Sequence, residues 1–158
     1  MEFEIAVDDP QRDDVRALVA RHLEFANEMT PPGHVHALGT DSLEDHAVTF
    51  YGARRGGVLV AIGALRELDP GHGEVKSMHT AVEHRGQGLA AAMLDHLLTV
   101  ARERGYERVS LETGTMPSFA PARSLYSTRG FVPCEPFGEY TLNEHSVCMT
   151  LILDQSTP

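Results

Sequence analysis

The stretch HRGQGLAAAMLDHLLTVARERG, His84 to Gly105, constrains the fold more than any other part of the sequence. Leu89, Met93, Leu97, Val100 and Ala101 recur at helical spacing, and Leu94 and Leu98 widen the apolar stripe. The segment from about Gly88 to Arg104 therefore reads as an amphipathic helix, stopped by Gly105 as its C-terminal cap residue. Its beginning is unusual. Helices open on Ser, Thr, Asp or Asn and avoid glycine inside, yet Gly86 and Gly88 stand here beside Arg85 and Gln87. Glycine at a strand-to-helix turn lets the backbone approach a ligand closely. The first helical turn exposes unpaired N–H groups, and its dipole favours anions. With Arg85 as a charged donor, the segment reads as a diphosphate cradle. A tight turn that uses glycine for geometry alone is the alternative reading.

Around this helix the rest of the chain falls into short periodic segments. FEIAV (Phe3 to Val7) alternates as a strand, and a helix follows with Asp9 and Pro10 resembling its cap and first residue. HAVTFYGARRGGVLVAIGALRELD reads as a hairpin turning at Arg55-Gly56-Gly57, and GEVKSMHTAV as a further strand. After the long helix come the strand ERVSLET, a shorter helix in SFAPARSLYSTRG, a strand that begins at Phe131, and the closing strand SVCMTLIL. The order is β-α-β-β-β-α-β-α-β-β. Three consecutive strands in the middle favour a mixed α/β sheet over a doubly wound one. A length of 158 residues suits one domain, residues 1–158.

Composition narrows the function classes. No apolar run nears the roughly 20 residues that span a bilayer, and the acidic N-terminus lacks the core of a signal peptide. Cys134 and Cys148 are too few for a disulfide framework. A cytoplasmic protein without a membrane role is expected. The net charge of −10 argues against a broad basic surface for nucleic acid. It is compatible with steering a cationic amine, and equally with simple solubility. His34 and His36, with Asp41, Asp45 and His46 nearby, match no zinc spacing, so no metal is expected.

Two familiar glycine motifs do not fit. Gly86-Gln87-Gly88-Leu89-Ala90-Ala91 lacks the third glycine of a dinucleotide fingerprint and does not follow a first strand, and no Gly-Lys-Ser/Thr P-loop is present. HRGQGLA instead resembles the R/Q-x-x-G-x-G/A motif of the GNAT superfamily of N-acetyltransferases, with Arg85, Gly88 and Ala90 at its defining positions. ARSLYSTRGF (Ala122 to Phe131) is similar to the family's second signature, A-x-x-L-Y-x-x-x-G-F, and the two stand at family spacing.

The resemblance implies a GNAT-type α/β fold: a central, mostly antiparallel sheet with helices on both faces. It implies acetyl-CoA as cosubstrate. The pyrophosphate would lie on the backbone of Arg85, Gly86, Gln87, Gly88, Leu89 and Ala90, where a side chain at Gly88 would crowd it. The pantetheine arm would pair with Met78, His79 and Thr80, in a splay between that strand and ERVSLET. Tyr126 would stand near the sulfur as general acid. Glu74 and His79 are candidates for the base, with Glu112 a third. On a regular strand Glu74 and His79 face opposite ways, and a bulge would relax that constraint. The expected acceptor is a primary amine on a small molecule or a protein, attacking directly in a ternary complex. An acyl-cysteine route would need Cys134 or Cys148 at the cleft, and an acetyl-CoA sensor without turnover is the non-enzymatic rival. Dimers are common in the family, so a homodimer is a further expectation. Phe119 departs from the pattern, because many members carry Asn there to bind the cofactor arm.

Overall fold

The computed structural model describes residues 2–29, 45–138 and 140–153. Within them the chain runs β1 (Glu4–Val7), α1 (Asp13–Met29), β2 (Val48–Arg55), β3 (Val58–Asp69), β4 (His72–Thr80), α2 (Leu89–Glu103), β5 (Arg108–Gly114), α3 (Ala120–Thr128), β6 (Val132–Cys134) and β7 (Ser146–Ile152). The strands form one sheet in the order β1-β2-β3-β4-β5-β7-β6. Every neighbouring pair is antiparallel except β4–β5. This is the mixed, mostly antiparallel sheet that the sequence predicts.

Each helix buries the face its periodicity marks out. Val15, Leu18 and Val19 of α1 pack on Phe50, Leu59, Ile62 and Ala64 on one side of the sheet. Leu89, Met93, Leu94 and Leu97 of α2 pack on Val60, Leu65, Val75 and Leu111 on the other. The β2–β3 hairpin turns at Gly56 and Gly57, whose φ angles of +57° and +84° glycine adopts without steric cost. Gly105 ends α2 with φ +78°, as its position predicts.

Two boundaries differ from the sequence reading. Asp9 does not cap α1. Its side chain accepts the Gln11 N–H at 2.9 Å, and its carbonyl accepts the Arg12 N–H at 3.2 Å, closing a tight turn ahead of a helix that begins at Asp13. The helix predicted from Ser118 is divided. Pro117–Phe119 forms one 3-10 turn and α3 starts at Ala120. No side chain caps that start, but the Arg123 guanidinium donates to the carbonyls of Gly114 (2.7 Å) and Met116 (3.0 Å) and fixes the approach.

The start of β4 lies flat over Tyr106. A Cβ at Gly73 would stand 2.7 Å from Tyr106 Cε2, and the Tyr106 hydroxyl is tied to Glu67 at 2.8 Å, so the ring has little freedom to yield. Gly73→Ala is expected to cost roughly 1–3 kcal/mol of stability, the usual range for overpacking a core. A urea titration read as the unfolding midpoint checks this, and an unchanged midpoint would show that the ring moves aside.

Candidate active site

β4 and β5 pair over three residues and then part. His72, Gly73 and Glu74 register with Arg108, Val109 and Ser110, and beyond them the two strands share no ladder. A cavity of about 580 Å3 occupies the splay. β4 is kinked where the splay opens. Ile62 registers with His79 and Ala64 with Lys76, so Ser77 and Met78 together oppose Gly63. Ser77 takes the left-handed φ of +57°, rare for a residue with a side chain.

The bulge resets which way the strand's side chains face. Val75 and Met78 belong to the α2 side, while Lys76 and His79 register with Ala64 and Ile62 of the α1 side. Glu74, next to Val75, shares the α1 face with His79. A regular strand would have put them on opposite faces, so the bulge relaxes that constraint in the way the sequence reading anticipated.

One end of the cavity meets the start of α2. Gly86 and Gly88 have φ of +77° and +79°, and a Cβ on either would meet nothing within 4 Å. Backbone conformation is therefore enough to demand glycine at these two positions. Ala92 donates to the Gly88 carbonyl at 3.0 Å as the first α-helical bond, so the amides of Leu89, Ala90 and Ala91 precede the helical ladder. Arg85, Gly86, Gly88, Leu89 and Ala90 line the cavity. Gln87 turns away, its Oε1 accepting from Arg55 Nη1 at 2.8 Å. Arg55, from the β2–β3 turn, also lies 3.5 Å from His84 Nδ1, so it braces this loop from behind.

Met78, His79 and Thr80 also line the cavity, and Tyr126 of α3 closes it from the α2 side. Tyr126 is 7% exposed, and burial pushes its phenol up to about 12, so it holds its proton at neutral pH. Phe119 is a wall residue as well. It packs against Gly114, where a Cβ would fall 2.4 Å from its ring, and meets Phe25 edge-on at 5.3 Å.

Glu74 is placed differently from the other sequence candidates. It is 1% exposed and does not reach the cavity wall. Its Oε2 accepts from the Tyr140 hydroxyl at 2.5 Å and from Lys76 Nζ at 3.4 Å, and Lys76 also donates to the Tyr140 oxygen at 2.6 Å. Lys76 and Tyr140 are the members of this triad that line the cavity. Glu112 lies on the wall too, its carboxyl pushed up chiefly by burial and opposed by a hydrogen bond from Ser146. His79 faces His22 of α1, with the two Nδ1 atoms 3.2 Å apart. Burial, above all, pushes both imidazoles down to about 4.

The sequence profile of the Acetyltransferase (GNAT) family matches residues 14–131. YsnE, an uncharacterized N-acetyltransferase of Bacillus subtilis, is 47% identical over 146 residues, which cover 92% of this chain and 97% of that protein. YedL, an uncharacterized N-acetyltransferase of Escherichia coli, is 43% identical over 151 residues, covering 96% of this chain and 95% of its own. Among solved structures, a GNAT family acetyltransferase from Elizabethkingia anophelis with acetyl-CoA bound superposes with a TM-score of 0.69 at 16% identity, over 96% of this chain and 98% of that one. This chain belongs to the GNAT acetyltransferase family. It is an enzyme of the acyl-CoA-dependent N-acetyltransferase class.

For a GNAT protein, the sequence reading did not single out several residues on the α1 side of the cavity wall. His22, Phe25, Lys76 and Tyr140 come to the wall from α1, β4 and the segment before β7, and no local motif marks them. Helical periodicity places His22 and Phe25 on the inward face of α1 but does not say that this face ends at a cavity. His34, His36 and Asp41 lie outside the described residues, while Asp45 and His46 form an exposed pair at 3.6 Å. Among the described residues no three His, Cys, Asp or Glu side chains gather as a metal site. No described helix is long and apolar enough to cross a membrane. Cys134 and Cys148 are free thiols on β6 and β7, register with each other, and do not line the cavity.

The two depressed histidines set a pH dependence. With folded pKa values of about 4 against 6.5 ordinarily, the unfolded chain binds more protons between these limits. Their neutral burial therefore supports folding fully above pH 6.5, and that support is lost as pH falls toward 4. Unfolding free energies from urea at pH 7.5 and 4.5 are expected to differ less in a His22→Gln/His79→Gln double variant than in the wild type. An unchanged difference would assign the acid sensitivity to carboxylates instead.

Proposed function

We propose that this protein transfers acetyl from acetyl-CoA to a primary amine by direct attack within a ternary complex. The observation that carries the reading is one continuous cavity running from the glycine turn at the start of α2, past the unpaired edge of β4, to Tyr126 and the histidines of the opposite face. The pyrophosphate lies on the amides of Arg85 to Ala90 and the helix dipole, with Arg85 as the adjacent cation. The pantetheine arm adds to the open edge of β4 at Met78 to Thr80, as an extended ligand adds to a sheet edge. A solved structure of like fold holds acetyl-CoA, which supports acetyl-CoA as the ligand.

The chemistry then needs a deprotonated amine and a leaving thiol. The amine nitrogen bonds to the thioester carbon and the carbon–sulfur bond breaks. His79, at the wall and neutral, takes the proton from nitrogen. Tyr126 gives its phenolic proton to sulfur, and solvent returns a proton from His79 to Tyr126. Glu74 serves indirectly, since its carboxylate holds Tyr140 and Lys76 at the acceptor wall. The acceptor is a small molecule or an exposed protein amine.

The reading is tested by release of free thiol from acetyl-CoA over a panel of amines, beside calorimetry with acetyl-CoA alone. Wild-type protein is expected to bind acetyl-CoA in the micromolar range and Gly88→Glu to lose that binding, through both its carboxylate and a strained φ. Tyr126→Phe is expected to bind normally and to lose roughly tenfold to hundredfold in kcat, at or below the bottom of the usual general-acid range because a thiolate leaves fairly well unaided. Binding without turnover of any amine would leave a sensor, and no binding would remove the cofactor assignment.

A further inference from the structure

His22 and His79 meet at the acceptor end of the cavity, and both rings line it. His22 comes from the middle of α1 and His79 from the end of β4, brought to that face by the bulge. The rings stand edge-on, with centroids 5.1 Å apart and planes at 71°, and the contact is Nδ1 to Nδ1 at 3.2 Å. An N–H···N bond needs a hydrogen on one nitrogen and a lone pair on the other. The two neutral rings must therefore hold opposite Nδ1 states.

The surroundings keep both rings neutral. Burial acts first, and the charged groups that face them are cations: Lys76 of β4 on His22, with Arg85 before α2 and Arg21 of α1 on His79. Arg21 also pairs with Glu83 at 3.6 Å. For a neutral histidine, the partner at one nitrogen sets what the other can do. If His79 donates from Nδ1, its Nε2 carries the lone pair. If His22 donates instead, His79 Nε2 carries a hydrogen and cannot take a proton.

We propose that His22 is a positioning residue for acetyl transfer: by accepting the hydrogen bond from His79 Nδ1–H, it holds His79 in the tautomer whose Nε2 receives the proton of the attacking amine. This rests on the acetyl-transfer reading above. In the step itself the nitrogen–carbon bond forms, the carbon–sulfur bond breaks, the amine proton passes to His79 Nε2, and Tyr126 protonates sulfur. As His79 becomes imidazolium, its Nδ1–H bond to neutral His22 becomes charge-assisted and shortens. A carboxylate at the position of His22 would also orient the ring, but its charge would favour protonated His79 at rest. A second imidazole orients without charging.

Two variants and two readouts test the proposal. Asn at position 22 offers an amide oxygen close to where His22 Nδ1 stands, whereas Leu offers a similar volume with no acceptor. Long-range 15N–1H spectra of the imidazoles, recorded with acetyl-CoA alone added, are expected to show His79 as the Nδ1–H tautomer in wild type and in His22→Asn, and the other tautomer or a mixture in His22→Leu. With an amine from the panel, His22→Leu is expected to lose roughly tenfold to hundredfold in kcat at unchanged acetyl-CoA affinity, less than the full ~10²–10⁴ for removing a base. The acid limb of kcat, near 4 in wild type, should move down in that variant, because Leu keeps His79 buried and removes the acceptor that favours its imidazolium, and His22→Asn should restore part of the lost rate. Finding His79 as the Nε2–H tautomer in wild type overturns the proposal, as does a His22→Leu enzyme with wild-type kcat and an unmoved acid limb. The spectra need no acceptor, so a panel with no turnover would defeat the acetyl-transfer reading while the tautomer result stood apart from it.

Discussion

The three-residue parallel ladder between β4 and β5 is the contact on which the rest of the site depends. Extended by a few residues, it would close the cavity and pair the backbone edge that faces it. Without it, the sheet would divide between its two halves. It is held from several sides. His72 Nε2 lies 2.7 Å from Ser110 Oγ, which lies 2.9 Å from Thr150 Oγ1 on β7, so one buried chain of polar atoms ties three strands together. The carbonyl of Gly71 accepts from the amides of Glu107 and Arg108 at 2.8 and 3.2 Å, and Tyr106 fills the space under Gly73. Buried hydrogen bonds that would be costly to leave unmade thus pin the ladder where it stops.

Charge is unevenly distributed along the cavity. Cations gather at the mouth, with Arg85 on the wall and Arg55 bracing the loop behind Gln87. Inside, Glu74 and Lys76 offset each other through Tyr140, and the two histidines are uncharged. A buried ion pair is tolerated only when its remaining hydrogen-bonding capacity is met, and the Tyr140 hydroxyl meets it by donating to the carboxylate and accepting from the ammonium. The overall acidity of the chain says little about this chamber, because its local charges are set by a few buried groups.

What could be read from the chain alone was periodic or local. The apolar stripes of α1 and α2, the glycine hairpin and the alternating strands sit in contiguous segments, so their order followed from spacing. The turn at Gly86 and Gly88 was legible because positive φ demands a residue type. The start of α1 was misplaced because Asp9 bonds only two residues ahead and closes a turn instead of capping a helix. Glu74 stood as a candidate base through the family resemblance, and strand alternation says which face a side chain takes, not what stands in front of it. Tyr140, which covers it, lies 66 residues away, and His22 lies 57 residues from His79. Such pairs leave no mark at any spacing that a sequence pattern can carry.

The sequence by itself determined the elements, their order, the glycine turn at the start of α2 and, through two motifs, the family resemblance. These rest on backbone conformation and on the burial of stripes repeating every two or three to four residues. Tertiary structure alone decided where β4 parts from β5, which face His79 takes after the bulge, and which buried partners stand behind the wall. A bulge shifts every later side chain by one face, and its position depends on how β3, β4 and α2 pack together. The cavity is therefore a product of packing between segments far apart in the chain.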